Sequence, residues 1–489
     1  MTVNIFRIAL GCAVALLLGV ASSAASPWAE VGDDQVRSDI QILANAGMID
    51  DITTQWPIPW AGLLSALRDQ TVLASEPRYV REAARRVYAF AKSQMHRDTF
   101  SGQATFDFTN EPDVVRGFDG LGRNKGETQV SFEYMDSDTA LRLSVGAWTD
   151  FTGSTTHYDP DGSYIAQKIG GAVVYGGYLT HWWGPGWISA LSLSNNARPF
   201  PQIGISRLDT SAFRTPLLSW LGPWQAEFFA GLLDDDRVAK NTVYTGLRVT
   251  FNPLPGLQIG LARTTEMCGT GHPCSPLAEY FEFTNQESHV NRTNDEGLID
   301  LHYQNTLGAW PFEIYTQMMN EDSNPITHSV TSHLFGASVW IPVDRNAMRV
   351  TLEYTDTVPT VDIFSFGDVF HGSAYNNSDY IDGMRYRGRT LGFSLDSDSR
   401  LLSLQASWVD DNDWTYEGTI HHAVVSNPNN HAGNIVTTAP VIINLAEARM
   451  GIPVIDHLKL DLSARVQDDQ PRPEHGATGA FEAALTVDF

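Results

Sequence analysis

The sequence predicts a mainly β protein: a large closed antiparallel transmembrane β-barrel of about 18 strands, carrying a small N-terminal α-helical bundle. Three observations predict it. From about Ser101 to the end, apolar and polar residues alternate with period two, the signature of strands with two unlike faces. After an N-terminal leader, no apolar stretch approaches the ~20 residues that a membrane helix needs, so any crossing falls to strands. The chain then stops on "GAFEAALTVDF", where Phe481, Ala483, Leu485, Val487 and Phe489 share one face. A soluble sandwich also alternates. The leader, the terminal aromatic, the unbroken series of strands and the alternation of short with long connections favour the barrel.

In chain order, residues 1–25 read as a signal peptide: Arg7, the apolar run "IALGCAVALLLGVA", and the exit "SSAAS" with Ser23 and Ala25 at −3 and −1. Cys12 lies inside the apolar run, which argues against a lipid anchor. Residues 26–98 read as the helical bundle. Asp33 or Asp34 caps a first helix with Val36, Ile40, Leu43 and Ala44 at helical spacing and Gly47 as its stop. "TTQWPIPW" breaks the pattern, a short helix follows near Ala61 to Leu67, and Pro77 opens a helix aligning Val80, Ala83, Ala84, Val87 and Ala91. That last helix is basic, through Arg78, Arg81, Arg85, Arg86 and Lys92. It presents either a solvated face or a surface that docks on an acidic barrel mouth or lipid head groups. Residues 99–489 read as the barrel, in segments such as Val130, Phe132, Tyr134 and Leu402, Leu404, Ala406, Trp408, with the longest non-strand tracts at roughly 265–295, 357–387 and 410–438.

The whole chain holds 32 basic and 57 acidic residues, a net charge of −25, and loss of the leader removes only Arg7. Such a field disfavours nucleic acid as a partner. Cys268 and Cys274 in "CGTGHPC" read as a local disulfide in an exported chain. A metal site through His272 is the alternative, but two thiols and one imidazole leave the usual four-ligand shell incomplete. No metal or cofactor is expected. HExxH, G-x-S-x-G, Walker and dinucleotide motifs are all absent, so no catalytic residue is expected. His181 beside a serine or acid is the one catalytic reading on offer, and nothing specifies a nucleophile.

The stretch "YLTHWWGPGWISALSLSNNARPFP" concentrates aromatic surface between two alternating segments, "GGAVVYGGYL" and "WISALSLS", both read as strands. Its candidate residues are His181, Trp182, Trp183, Trp187, Asn195 and Arg198. Three readings stand, in this order: an inward-folded plug whose glycines permit close approach, an aromatic girdle at the water boundary, and rings that stack on sugar C–H faces. For glycan contact the outer tract "HGSAYNNSDYIDGMRYRGR" is the better place, with Tyr375, Tyr380, Tyr386, Arg385, Arg387 and Arg389, since guanidinium groups suit acidic sugars or phosphates. Alternatively Arg387 and Arg389 line the lumen and pair with Asp396 and Asp398. In "DDNDWTYEGTIHH", Asp410, Asp411 and Asp413 read as solvated acid, their spacing lacking the glycine and distal glutamate of a known calcium loop.

The pieces "WPIPW" (56–60), "HWWGPGW" (181–187), "SNNARPFP" (194–201), "GLLDDDR" (231–237), "GLIDLHY" (297–303) and "DGMRYRGRTLGFSLDSDSRL" (382–401) stand in one order along almost the whole mature chain. Together they resemble the capsule assembly Wzi family of outer-membrane proteins. The resemblance implies a closed barrel with a small N-terminal helical bundle in the bacterial outer membrane, involved in holding capsular polysaccharide at the cell surface. The partners then expected are outer-membrane lipid, lipopolysaccharide and capsular or other surface polysaccharide, with the chain a monomer and not an enzyme. A channel for small solutes or glycan is the alternative class.

Overall fold

The computed structural model describes residues 26–489 except 51, 68–69, 96–97, 150–155, 275–292, 322–329, 362–366, 427–432, 438 and 472–475. Residues 1–25, read from the sequence as a signal peptide, lie outside the described residues.

Four helices open the chain: α1 (Asp34–Asn45), α2 (Trp60–Ala66), α3 (Gln70–Ser75) and α4 (Arg78–Gln94). Asp33 is the N-cap of α1, its carboxylate accepting from the Val36 N–H at 2.9 Å. Helix α4 buries Val80, Ala83, Ala84, Val87 and Ala91, the stripe that its spacing predicts. Among the described residues no helix is long and apolar enough to cross a membrane.

The rest is a closed antiparallel ring. Its strands are β1 (Phe100–Thr109), β2 (Gly126–Met135), β3 (Thr139–Thr149), β4 (His157–Asp159 and Tyr164–Ile169), β5 (Ala172–Gly177), β6 (Gln202–Arg207), β7 (Trp224–Leu233), β8 (Thr242–Leu254) and β9 (Leu257–Met267). They continue as β10 (Asn294–Leu307), β11 (Trp310–Glu321), β12 (Val330–Val343), β13 (Asn346–Thr360), β14 (Arg400–Val409), β15 (Thr415–Val425), β16 (Val441–Ile455), β17 (Leu458–Gln467) and β18 (Thr478–Asp488). Both segments of β4 pair with β3, so they form one interrupted strand and the ring has 18, as the alternation predicts. Closure joins β18 to β1, and Phe489 and Gly102 exchange two backbone hydrogen bonds at 2.7 and 2.8 Å. This leaves no open sheet edge in lipid.

The two faces are inverted relative to a soluble protein. Phe132, Leu143, Val145, Leu352, Leu402, Leu404, Ile420 and Ile442 are exposed on the outside, while Arg248, Thr351, Glu353, Ser403, Glu447 and Arg465 are buried inside. Strands that meet lipid outside and polar groups inside give this pattern. Short connections (136–138, 170–171, 255–256, 308–309, 344–345, 410–414, 456–457) gather at one end, with one longer connection, 208–223. By the general rule this end faces the periplasm and the long loops face out.

Two sequence expectations are corrected. Residues 410–438 are not one long loop: 410–414 is a tight turn and β15 follows it, with Asp413 paired to Arg85 of α4 at 2.6 Å. Alternation through Tyr416, Gly418 and Ile420 was masked by the acids in front of it. The "WISALSLS" stretch is not a strand. It runs as irregular chain inside the lumen, its backbone satisfied by side chains of the wall instead of a neighbouring strand.

The helical segment docks on the short-turn end. Arg86 pairs with Asp39 at 2.7 Å and donates to Asn346 at 2.6 Å; Arg345 reaches Glu82 at 3.1 Å; Trp340 donates to Ser38 at 2.9 Å. Arg85 and Arg86 therefore serve docking on the turns of the barrel.

Candidate functional site

The lumen is filled by the chain's own segments. The connector between α1 and α2 enters from below, where Gln55–Trp56 pairs antiparallel with Trp182–Trp183. Residues 110–125 and 178–201 fold in from the long-loop end. At their meeting point Trp56 and Trp182 both pack edge-on against Phe118, with centroids 4.9 and 5.5 Å away. Trp187 lies between two cations, 4.2 Å from the Arg37 guanidinium and 3.5 Å from that of Arg349. Its indole N–H donates to Glu313 at 2.6 Å, and its backbone N–H donates to Glu353 at 2.8 Å, where the Tyr315 hydroxyl also donates. Arg37 in turn donates to the carbonyls of Pro185 and Gly186 at 2.8 and 2.9 Å. The glycines are required: a Cβ at Gly186 would sit 2.1 Å from the Ser189 carbonyl, and one at Gly184, whose φ is +135°, 2.4 Å from Gln317.

Every candidate of the Trp-rich stretch is buried here. His181 stacks on Phe229 at 5.0 Å and bonds Gln202 at 2.9 Å, with Glu227 3.7 Å away. Among the described residues no serine hydroxyl bonds it. Trp183 packs on Phe229. Asn195 donates to the Phe118 carbonyl at 2.8 Å, and Arg198 is shared by Glu127, Asp159 and Asp161 at 3.0, 3.1 and 2.7 Å.

The tyrosines of the outer tract 371–389 also turn inward, while Ile381 and Arg387 stay exposed. Tyr375, Tyr380 and Tyr386 are each 0% exposed. Their hydroxyls donate to the Leu191 carbonyl, the Cys268 carbonyl and Asp234. Arg385 is the residue that pairs with Asp396, at 2.8 Å. Arg387 instead lies near Asp234, 4.0 Å away, and Asp398 takes the Gly372 N–H at 2.9 Å beside His371. Tyrosine is apolar enough to be buried wherever its hydroxyl finds an acceptor, so composition could not separate a packed tract from an exposed one. A disulfide joins Cys268 and Cys274.

Above the plug, at the long-loop end, an outer vestibule of about 290 Å³ remains, lined among others by Asn196, Arg389, Thr390, Ser394, Gln467 and Gln470. Arg389 donates to Asn196 at 3.2 Å and to the Arg123 carbonyl at 2.8 Å. Arg123 clamps the carbonyls of Asn195, Asn196 and Ala197, and Arg116 those of Leu121 and Gly122. Burial first, then the neighbouring guanidinium groups, pull all three arginines down to about 10: Arg389 acts on Arg116, Arg116 on Arg123, and Arg123 on Arg389. The sequence points to Arg389 but not to Arg116 or Arg123. Two arginines in "DVVRGFDGLGRNKG", a glycine-rich loop of an acidic chain, were the available signal.

Below the plug an inner vestibule of about 520 Å³ lies between the helices and the β14–β17 wall. Arg449 of β16 links the two spaces. It holds Asp119 of the inner vestibule at 2.8 Å and Asp113 of the outer one at 3.4 Å, with Glu447 at 2.7 Å.

Comparison with known proteins agrees with this architecture. The structure resembles that of Wzi of Escherichia coli, described as an outer-membrane protein involved in group 1 capsule assembly and a carbohydrate-binding β-barrel, with a TM-score of 0.81 at 20% identity, covering 96% of this chain and 100% of that one. An uncharacterized 55.8 kDa protein of the Klebsiella pneumoniae cps region is 25% identical over 376 residues, 73% of this chain and 70% of that protein. The family model for capsule assembly protein Wzi matches residues 95–470. The chain is therefore an outer-membrane β-barrel that belongs to the capsule assembly protein Wzi family.

Proposed function

We propose that this protein holds exported polysaccharide at the cell surface without chemically altering it, as a monomer set in outer-membrane lipid and lipopolysaccharide. One observation carries the reading: a polar vestibule opens at the long-loop end above a lumen filled by the chain itself. A filled lumen suits retention better than transport, because residues 178–201 are held by wall groups such as Glu353 and Gln317 through hydrogen bonds in a buried setting. The closed ring needs no second subunit to satisfy its edges. The resemblance to a carbohydrate-binding barrel supports the same reading.

Deletion of the gene is expected to leave polymer synthesis intact and to increase the polymer shed into the medium. The check is the ratio of cell-bound to released polysaccharide, and an unchanged ratio sinks the proposal.

A further inference from the structure

We infer that the outer vestibule recognises the carboxylate of an acidic sugar residue, with Arg389 as the group that binds it. The inference rests on the polysaccharide-holding reading and narrows it to a chemical class.

The geometry gives three reasons. A guanidinium has five N–H donors in one plane. Arg389 uses two of them, on the Asn196 side chain and the Arg123 carbonyl, both within the protein. The remaining edge belongs to a half-buried side chain that lines the vestibule, and a fork of that shape matches a planar carboxylate. Next, Arg389, Arg123 and Arg116 form a run of guanidinium groups held by carbonyls, and among the described residues none of the three has a carboxylate within ion-pair distance. The Nε of Arg116 is buried without any acceptor. Glu127 faces the cluster, but its Oε1 is already taken by Arg198, the Arg123 backbone N–H and Asn124. Finally, the acids on the vestibule rim are engaged elsewhere: Asp113 with Arg449, and Glu111 with Lys125 at 3.8 Å. The bare positive edge stands out against a chain of net charge −25, so repulsion over the rest of the surface confines an anionic polymer to this place.

Pro112, Val114, Ile435, Val436 and Pro471 line the same vestibule. Their apolar surface suits the C–H face of a pyranose ring, while Gln467, Gln470, Thr390 and Ser394 offer partners for hydroxyl groups.

The test uses the full chain purified in detergent, with trigalacturonate, a neutral trisaccharide of glucose, and inorganic phosphate as probes in titration calorimetry. Arg389→Gln is compared with wild type and with Arg387→Gln, which removes an exposed guanidinium outside the vestibule. Retention of the heat-modifiable folded band on gels verifies each variant. Trigalacturonate is expected to bind wild type at least tenfold more tightly than the neutral sugar does, to lose at least tenfold with Arg389→Gln, and to be unaffected by Arg387→Gln. Equal binding of acidic and neutral sugars, tighter binding of phosphate than of the sugar acid, or an unaffected Arg389→Gln overturns the inference while leaving polysaccharide holding in place. Failure of every glycan to bind, including polymer from the producing cells, overturns both.

Discussion

The wall formed by β7–β13 and the wall formed by β14–β18 face the same lumen and treat it differently. Against β7–β13 the plug is close-packed: Trp183 and Phe200 lie on Phe229 and Tyr244, and Trp187 is fixed by Glu313 and Glu353. Against β14–β18 the wall presents Glu417, Glu447, Arg449, Arg465 and Glu482, and both vestibules border it. The contrast teaches where rigidity and access each reside. Aromatic rings fill space to crystal-like density. Charged groups need partners and hydration, and a network of them cannot be squeezed as tightly without a desolvation cost. The packed half is architecture, and the polar half is where the interior meets water and ligand.

The largest effect is expected in the packed half. Trp187→Ala removes the indole between Arg37 and Arg349 and takes one hydrogen bond from Glu313, which keeps its bond to His302 at 2.8 Å, a loss of about 4 kcal/mol by analogy with large buried rings. Thermal unfolding of the refolded protein in detergent reads it. A loss under about 1 kcal/mol would show that the plug adds little to stability and would break the comparison.

In the polar half, Arg449→Ser removes a side chain that ties Asp113 and Asp119 together between the vestibules. Planar-bilayer recording is expected to find wild type without steady openings and the variant with a small conductance that favours cations, because the inner vestibule is lined by Asp33, Asp34, Asp119, Glu417, Asp456 and Asp461. A silent variant would place the barrier in the packed segments instead. Large steady openings in wild type would restore the channel reading.

The smallest effect concerns the helices. Burial, helped by Asp119 and opposed chiefly by Arg349, raises the Asp34 carboxyl from 3.8 to about 6; Arg37 and Asp33 also face it. A raised acid favours the docked state while protonated, so its contribution is full below the unfolded value and is lost as pH rises through about 6. Docking is expected to weaken between about pH 4 and pH 6 by on the order of 2 kcal/mol and to stay level above about pH 7, read as faster proteolytic release of the helical segment as pH rises through that window. Asp34→Asn should flatten that dependence, and an unchanged slope in the variant would remove Asp34 as its origin.

The alternation determined by itself that the chain from about residue 101 onward is a series of strands with two unlike faces, because each strand's two faces meet two unlike media and record that locally every second residue. What fills the ring was decided only by the tertiary structure. Leu191, Leu193 and Ser192 look like part of a strand, yet they lie among Gln317, Thr264 and Tyr375, residues 72 to 184 positions away. Arg385, rather than Arg387 or Arg389, found Asp396 because a hairpin turned its side chain inward. Periodicity reports which face of an element is wet. It carries no record of which distant segment will occupy a space that every element surrounds, since that choice depends on volume and charge summed over the whole wall.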